Sequence, residues 1–199
     1  MKGLEGKFVR IKGFIKKAAL LSGFEIRKNK DGTNSIQKIY SRKPSIQFVR
    51  EHMDGRALVA AEVGVWKGHN TEHIIKVLPI RKIYAVDPWI PFSSSGHDIK
   101  TMTIAEKDAR KRLSKYGSRV EIIKATADDA VKLLPENMDF IYIDGNHDYE
   151  HVKKDIENYY RKLGVGGILA GDDIQNRRIP NGVAKALAEF TVKNKLDFL

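Results

Sequence analysis

Five short apolar runs recur along residues 57–172: ALVAAEV (57–63), KIYAVD (82–87), VEIIKA (120–125), DFIYID (139–144) and GGILAGD (166–172). They are apolar on both faces, so each needs cover above and below. Residues 70–77, 105–116, 128–134 and 149–163 lie between them with apolar side chains three or four apart, and 183–192 follows the last run in the same way. Strands alternating with helices define an α/β fold, a single doubly wound, mostly parallel sheet of Rossmann-like form. Ligands bind such a sheet outside the carboxyl ends of its strands.

The runs deliver polar residues to that edge. Glu62-Val63-Gly64 ends the first, Asp87 the second, Thr126 follows the third, Asp144 ends the fourth, and Asp172 and Asp173 end the fifth. The first run continues through Trp66, Gly68, His69 and Asn70. Gly64 permits a tight turn and the close approach of a ligand to the backbone, and Gly68 lets the next helix begin nearby. Neither G-x-G-x-x-G nor the phosphate-binding G-x-x-x-x-G-K-[ST] loop is present. Asp87 follows Gly64 by 23 residues. An acid there can accept both hydroxyl hydrogens of a ribose, although an Asp before Pro88 also suits a helix cap. A glycine turn and a ribose acid without a phosphate cradle point to a nucleoside cofactor that lacks a pyrophosphate.

The fourth run breaks into Asp144-Gly145-Asn146-His147-Asp148. Asp144, Asp172 and Asp173 converging in a cleft would repel one another unless a cation sat among them. The chain has no cysteine. Hard oxygen ligands favour Mg²⁺, with Ca²⁺ or Mn²⁺ as alternatives. His147 lies three residues beyond Asp144, with Gly145 allowing the turn between them. His147 and Asp148 are both able to cap the helix that follows.

The E-x-G-x-x-x-G turn (Glu62 to Gly68), the Asp ending strand two, the I-D-G-x-H-x-Y segment (143–149) and G-G-I-L-x-x-D-D (166–173) together resemble class I S-adenosylmethionine-dependent methyltransferases. The sugar O-methyltransferases of the macrocin/mycinamicin type are most similar, and catechol O-methyltransferase is a more distant likeness. The resemblance covers about residues 55–193. It implies that Glu62, Gly64, Gly68 and Asn70 line the methionine part of S-adenosylmethionine and that Asp87 binds the ribose. Thr126 and Ala127 flank the adenine, and Trp66 and Trp89 serve as walls or as packing. It also implies a divalent cation on Asp144, Asp172 and Asp173 that holds two neighbouring substrate hydroxyls, and His147 as general base. Asp173 departs from the catechol pattern, where an asparagine is usual, and adds a negative charge. The acceptor implied is a hydroxylated small molecule, a sugar or a glycosylated metabolite. An RNA or protein methyltransferase, or a non-catalytic nucleoside-binding protein, are the alternatives.

Charge is unevenly spread. The 199 residues carry a formal charge of +11, but residues 1–50 hold 13 Lys/Arg against 3 Asp/Glu. Residues 7–21, KFVRIKGFIKKAALL, read as a basic amphipathic helix suited to an anionic membrane surface or to packing on the domain. No nucleic-acid motif accompanies the charge, which argues against nucleic acid as partner. Residues 28–35 read as a polar turn. The expected organisation is a basic extension over 1–43 and a cofactor-binding domain over 44–199, in a cytoplasmic protein, with peripheral membrane contact through residues 7–21 as one of the two readings of that helix. The resembled sheet ends in an antiparallel hairpin, whereas KLDFL (195–199) provides one short strand at most. The sheet is therefore expected to be truncated at its last strand, completed by a partner or left open at its edge, which favours a homodimer.

Overall fold

The strand–helix alternation folds into one sheet. A computed structural model describes residues 24–28, 34–37, 44–53, 55–92, 96–174 and 182–198. In chain order the elements are β1 (Phe24–Lys28), β2 (Asn34–Gln37), α1 (Pro44–His52), β3 (Leu58–Val63), α2 (His69–Val77), β4 (Ile80–Val86) and α3 (Ile99–Leu113). A 3-10 segment (Ser114–Arg119), β5 (Val120–Ile123), α4 (Ala127–Leu133), β6 (Met138–Ile143), α5 (Tyr149–Lys162), β7 (Leu163–Gly171), α6 (Gly182–Lys193) and β8 (Asp197–Phe198) follow. The sheet order is β5-β4-β3-β6-β7-β1-β2-β8. The first five in that order are parallel neighbours.

Alternate residues of each central strand feed two cores. Ala61, Val63, Ile141, Ile143 and Leu169 pack with α4, α5 and α6. Leu58, Ala60, Phe140, Tyr142, Ile168 and Ala170 pack with α1, α2 and α3. Phe140 and Ile141 are both fully buried, one on each face. Each such side chain contributes about 2–3 kcal/mol by leaving water. Among the described residues no helix is long and apolar enough to cross a membrane.

The boundary expected at residue 44 does not divide the sheet. β1 pairs antiparallel with β7 and with β2, so the N-terminal stretch supplies the antiparallel hairpin that was expected to be missing. β8 then adds a short parallel strand outside β2. The open-edge reason for expecting a dimer falls away, because the chain itself covers the edge beyond β7. FEIRK alternates apolar and polar residues, the pattern of a half-buried strand, but the lysine-rich stretch around it reads as an extension. Lys28, Asn34 and Ser35, expected in the polar turn over 28–35, lie in strands, and residues 29–33 are outside the described set. The expected helix over 7–21 is also outside it.

Helix α3 begins at Ile99, six residues before the expected start. Asp98 caps it, its side chain accepting from Thr101 N at 2.8 Å. An Asp three residues before a free backbone N–H is the ordinary sequence signature of such a start.

Candidate active site

Four residues stand immediately past the ends of parallel strands, and each is pinned by its own N–H. Gly64 N donates to Val86 O (2.9 Å), Asp87 N to Ile123 O (3.2 Å), Asp144 N to Val63 O (2.7 Å) and Asp172 N to Ile143 O (3.3 Å). Sheet pairing thus continues one residue past each strand and fixes where these side chains begin.

The turn after β3 is built around two satisfied acids. Glu62 is fully buried. It accepts from Asn70 Nδ2 at 2.8 Å and from Thr71 Oγ1, fastening the first turn of α2 to the strand. Gly64 has φ 95°, and a Cβ there would lie 2.0 Å from the backbone oxygen of Asp144. The close approach that requires glycine is therefore first of all to the neighbouring strand's backbone. Asp87 is 6% exposed and accepts from Trp66 N (2.8 Å) and Trp89 N (2.7 Å). Burial pushes its carboxyl above the ordinary value, and the two backbone donors oppose that. Trp89 Nε1 donates to Trp66 O at 2.9 Å, closing a small ring around Asp87.

The second group of acids is less settled. His147 Nε2 lies 3.1 Å from Asp173 Oδ2 and 3.6 Å from Asp144 Oδ1. It is buried and makes no well-aligned hydrogen bond. Burial disfavours the imidazolium, but the carboxylates of Asp144, Asp173 and Asp172 outweigh it and hold the pKa above the usual histidine value. Asp144, His147 and Asp173 each offer an atom within 4.8 Å of the others, a set that could hold a metal ion. Asp172, expected in that set, is turned elsewhere. Its carboxylate accepts from Tyr142 OH (3.4 Å) and Asp173 N (2.9 Å), and burial with the charges of Asp144 and Asp173 raises its pKa. The expected all-carboxylate set thus becomes two carboxylates and an imidazole.

Three of the five non-glycine residues with positive φ among the described residues stand at this edge. Trp66, Trp89 and Asp173 all have positive φ, at 52°, 47° and 59°, a conformation that costs a non-glycine residue about 1 kcal/mol or more.

The expected residues divide as follows. Glu62, Gly64, Trp66, Gly68 (φ 74°, at the start of α2) and Asn70 gather at one turn with Asp87. Trp66 is partly exposed and stacks on His97 with centroids 4.5 Å apart. Trp89 is 2% exposed and belongs to the core, so it supports Trp66 rather than forming a wall. Thr126 caps α4, exchanging hydrogen bonds with Asp129. Ala127 O accepts from Tyr159 OH at 2.8 Å, which steadies that turn against α5. Asp148, not His147, occupies the cap position of α5. Thr71, Tyr142 and the backbone donors to Asp87 were not foreseen. Thr71 stands next to Asn70, and Tyr142 lies two residues before Asp144 on the strand, but nothing in the sequence says which acid either would meet.

A parallel sheet of this order, with a glycine turn after its first strand and an acid after its second, has the class I S-adenosylmethionine-dependent methyltransferase fold. A family model described as a methyltransferase domain matches residues 61–174, and the chain belongs to that family. It is 27% identical over 126 residues to an uncharacterised protein of Acanthamoeba polyphaga mimivirus, a match covering 61% of this chain and 53% of the other. The chain thus spans about half the length of that relative. An rRNA methylase from Streptococcus thermophilus is similar in structure, with TM-score 0.53 and 20% identity over 74% of this chain and 76% of that one. So is a Streptococcus mutans protein described as a methyltransferase and solved in complex with S-adenosylhomocysteine, with TM-score 0.55 and 16% identity over 78% and 84% of the two chains. At these identities the likeness is one of fold.

Proposed function

We propose that this chain transfers a methyl group from S-adenosylmethionine to a hydroxyl of a small molecule, a sugar or a glycosylated metabolite. The observation that carries this reading is the His147 imidazole, whose Nε2 lies between Asp173 and Asp144, three residues beyond the Asp144 carbonyl that abuts Gly64. Alcohols are poor nucleophiles at neutral pH, so O-methylation needs a proton acceptor beside the methyl donor. The macrocin/mycinamicin resemblance supports a sugar acceptor.

In this reading Gly64 and Gly68 pass close to the methionine part of the cofactor, and Glu62 orients Asn70 toward its carboxylate. Asp87, already fixed by two backbone N–H groups, retains lone pairs for the ribose hydroxyls. Trp66 forms one wall, and Thr126 and Ala127 flank the adenine. The acceptor oxygen attacks the methyl carbon in line as the C–S bond breaks. Its proton passes to the His147 imidazole, and the carboxylates beside Nε2 stabilise the imidazolium that forms. Orientation supplies much of the remaining rate. Instead of the imidazole acting as base, Asp144, His147 and Asp173 would together hold a divalent cation, which when bound would lower the pKa of an acceptor hydroxyl. An imidazole in the set favours Mn²⁺ or Zn²⁺ over the Mg²⁺ expected for carboxylates alone.

The test is S-adenosylhomocysteine formation from S-adenosylmethionine with hexoses, glycosides and catechols, with EDTA or with added Mg²⁺, Mn²⁺ or Zn²⁺. The expected result is turnover on a hydroxylated acceptor that falls about 10²- to 10⁴-fold in His147→Ala. Turnover only on oligoribonucleotides would replace this acceptor class with RNA.

A further inference from the structure

The turn between β3 and α2 follows an uncommon backbone path. Gly64, Trp66 and Gly68 all have positive φ, at 95°, 52° and 74°, and such a path persists only where its surroundings hold it. Two different parts of the chain do so. The segment after β4 holds the first half: Asp87 accepts from Trp66 N at 2.8 Å, and Trp89 Nε1 donates to Trp66 O at 2.9 Å. Arg112, near the end of α3, holds the second half. Its Nε donates to Lys67 O at 3.1 Å and its Nη1 to Glu72 Oε2 at 3.1 Å. Its Nη2 stands 3.1 Å from His69 Nε2, an acceptor in the neutral imidazole. One guanidinium fork thus meets the carbonyl before Gly68 and two side chains in the first turn of α2.

The surroundings of the fork are themselves fixed. Glu72 is buried, and Lys115 above all, then Arg112 and Lys76, hold its carboxyl at about 2 against the effect of burial. A Cβ on Gly68 would lie 3.3 Å from the Leu113 side chain and 3.4 Å from Ala109 Cα. Ala109, Arg112 and Leu113 share one face of α3, and that face backs the end of the turn directly. Gly68, at the cap of α2, has no side-chain acceptor to offer, and a helix N-terminus favours an anionic ligand. Arg112 places a full positive charge beside it.

We propose that Arg112 is a positioning residue for the cofactor, holding the Lys67 carbonyl and the first turn of α2 in the shape that receives the amino-acid part of S-adenosylmethionine. This rests on the methyl-transfer reading. Asp87 and Trp89 then govern the nucleoside half of the site, and Arg112 governs the other half from a different helix.

Two ligands separate the halves. S-adenosylhomocysteine carries the nucleoside and the amino-acid part, whereas 5′-methylthioadenosine carries the nucleoside alone. Each is titrated calorimetrically into the full chain as wild type, Arg112→Ala and Asp87→Ala, with thermal melts to show that the variants are folded. Arg112→Ala should bind S-adenosylhomocysteine about tenfold more weakly and 5′-methylthioadenosine as tightly as the wild type does. Asp87→Ala should weaken both, because both carry the ribose. If Arg112→Ala does not fold, Arg112→Lys takes its place. It keeps the charge but not the fork, and a selective loss of about threefold is expected. Equal losses of both compounds in the Arg112 variant would make the residue structural only and overturn the inference. So would no loss of either. Both outcomes leave the methyl-transfer reading standing. A wild type that binds neither compound removes that reading and this inference with it.

Discussion

Two groups of acids share one edge of the sheet and are treated in opposite ways. Glu62 and Asp87 are nearly inaccessible, and each is held by two short-range donors. Asp144 and Asp173 are half-buried and flank a histidine whose Nε2 lacks an aligned hydrogen bond. The first group is held rigidly, because a buried charge is tolerable only when it is well hydrogen-bonded, and in the proposed reading Asp87 still has lone pairs for the ribose. The second is left under-satisfied, with Asp173 in a strained backbone conformation, the state expected of groups waiting for a ligand or a proton. Proximity to the carboxyl edge does not by itself suit an acid to chemistry; the completeness of its hydrogen bonding separates the two groups.

That contrast predicts a graded set of outcomes. The largest effect belongs to the joint between the two groups. Gly64→Ala forces a Cβ into the Asp144 backbone and should cost on the order of 5 kcal/mol, seen as insoluble or unfolded protein. Glu62→Ala strips the partner from Asn70 and Thr71 and should lower stability by about 2–4 kcal/mol in denaturant titration. Unchanged stability there would break the distinction between the two groups.

Asp155 sharpens the rule away from the edge. It is 5% exposed, and burial, reinforced by the Asp128 carboxylate, pushes its pKa up to about 7. The folded state therefore holds the proton more tightly than the unfolded chain. No penalty exists below the ordinary carboxylate pKa of about 4, and it grows to its full size above about pH 7. Asp155→Asn should raise the unfolding free energy by about 2–4 kcal/mol at pH 8 and by little at pH 4. An equal gain at both values would mean that the side chain is not titrating across that window.

The smallest stability effect belongs to the second group. Asp173→Gly relieves positive φ and a like-charge neighbour, and should stabilise the chain by about 1 kcal/mol while lowering turnover. A loss of stability would mean that Asp173 is structural after all.

Much of this was legible before any coordinates. The doubly apolar runs gave the parallel sheet, and its carboxyl edge gave Glu62, Gly64, Asp87, Asp144 and Asp172, because sheet topology leaves few places for such residues to go. The N-terminal hairpin was obscured by net charge: FEIRK alternates cleanly, but it lies in a lysine-rich stretch that reads as an extension. The reason for Gly64 was half legible. The sequence called for close backbone approach, and the approaching group is Asp144's own carbonyl. The membership of the cation set was not legible. Consecutive Asp172 and Asp173 leave the same strand, and only the backbone turn at Asp173 sends one carboxylate to Tyr142 and the other to His147.

The central claim is that the Gly64–Asp87 side of this edge binds the cofactor and the His147 side performs the transfer. Calorimetric titration with S-adenosylhomocysteine tests it most directly, on the wild type, Asp87→Ala and His147→Ala, each first shown to be folded by its thermal melt. The account predicts micromolar binding by the wild type, loss of at least about tenfold in Asp87→Ala, and near-normal binding in His147→Ala. A wild type that binds nothing, or an Asp87→Ala variant that binds as well as the wild type, would contradict it.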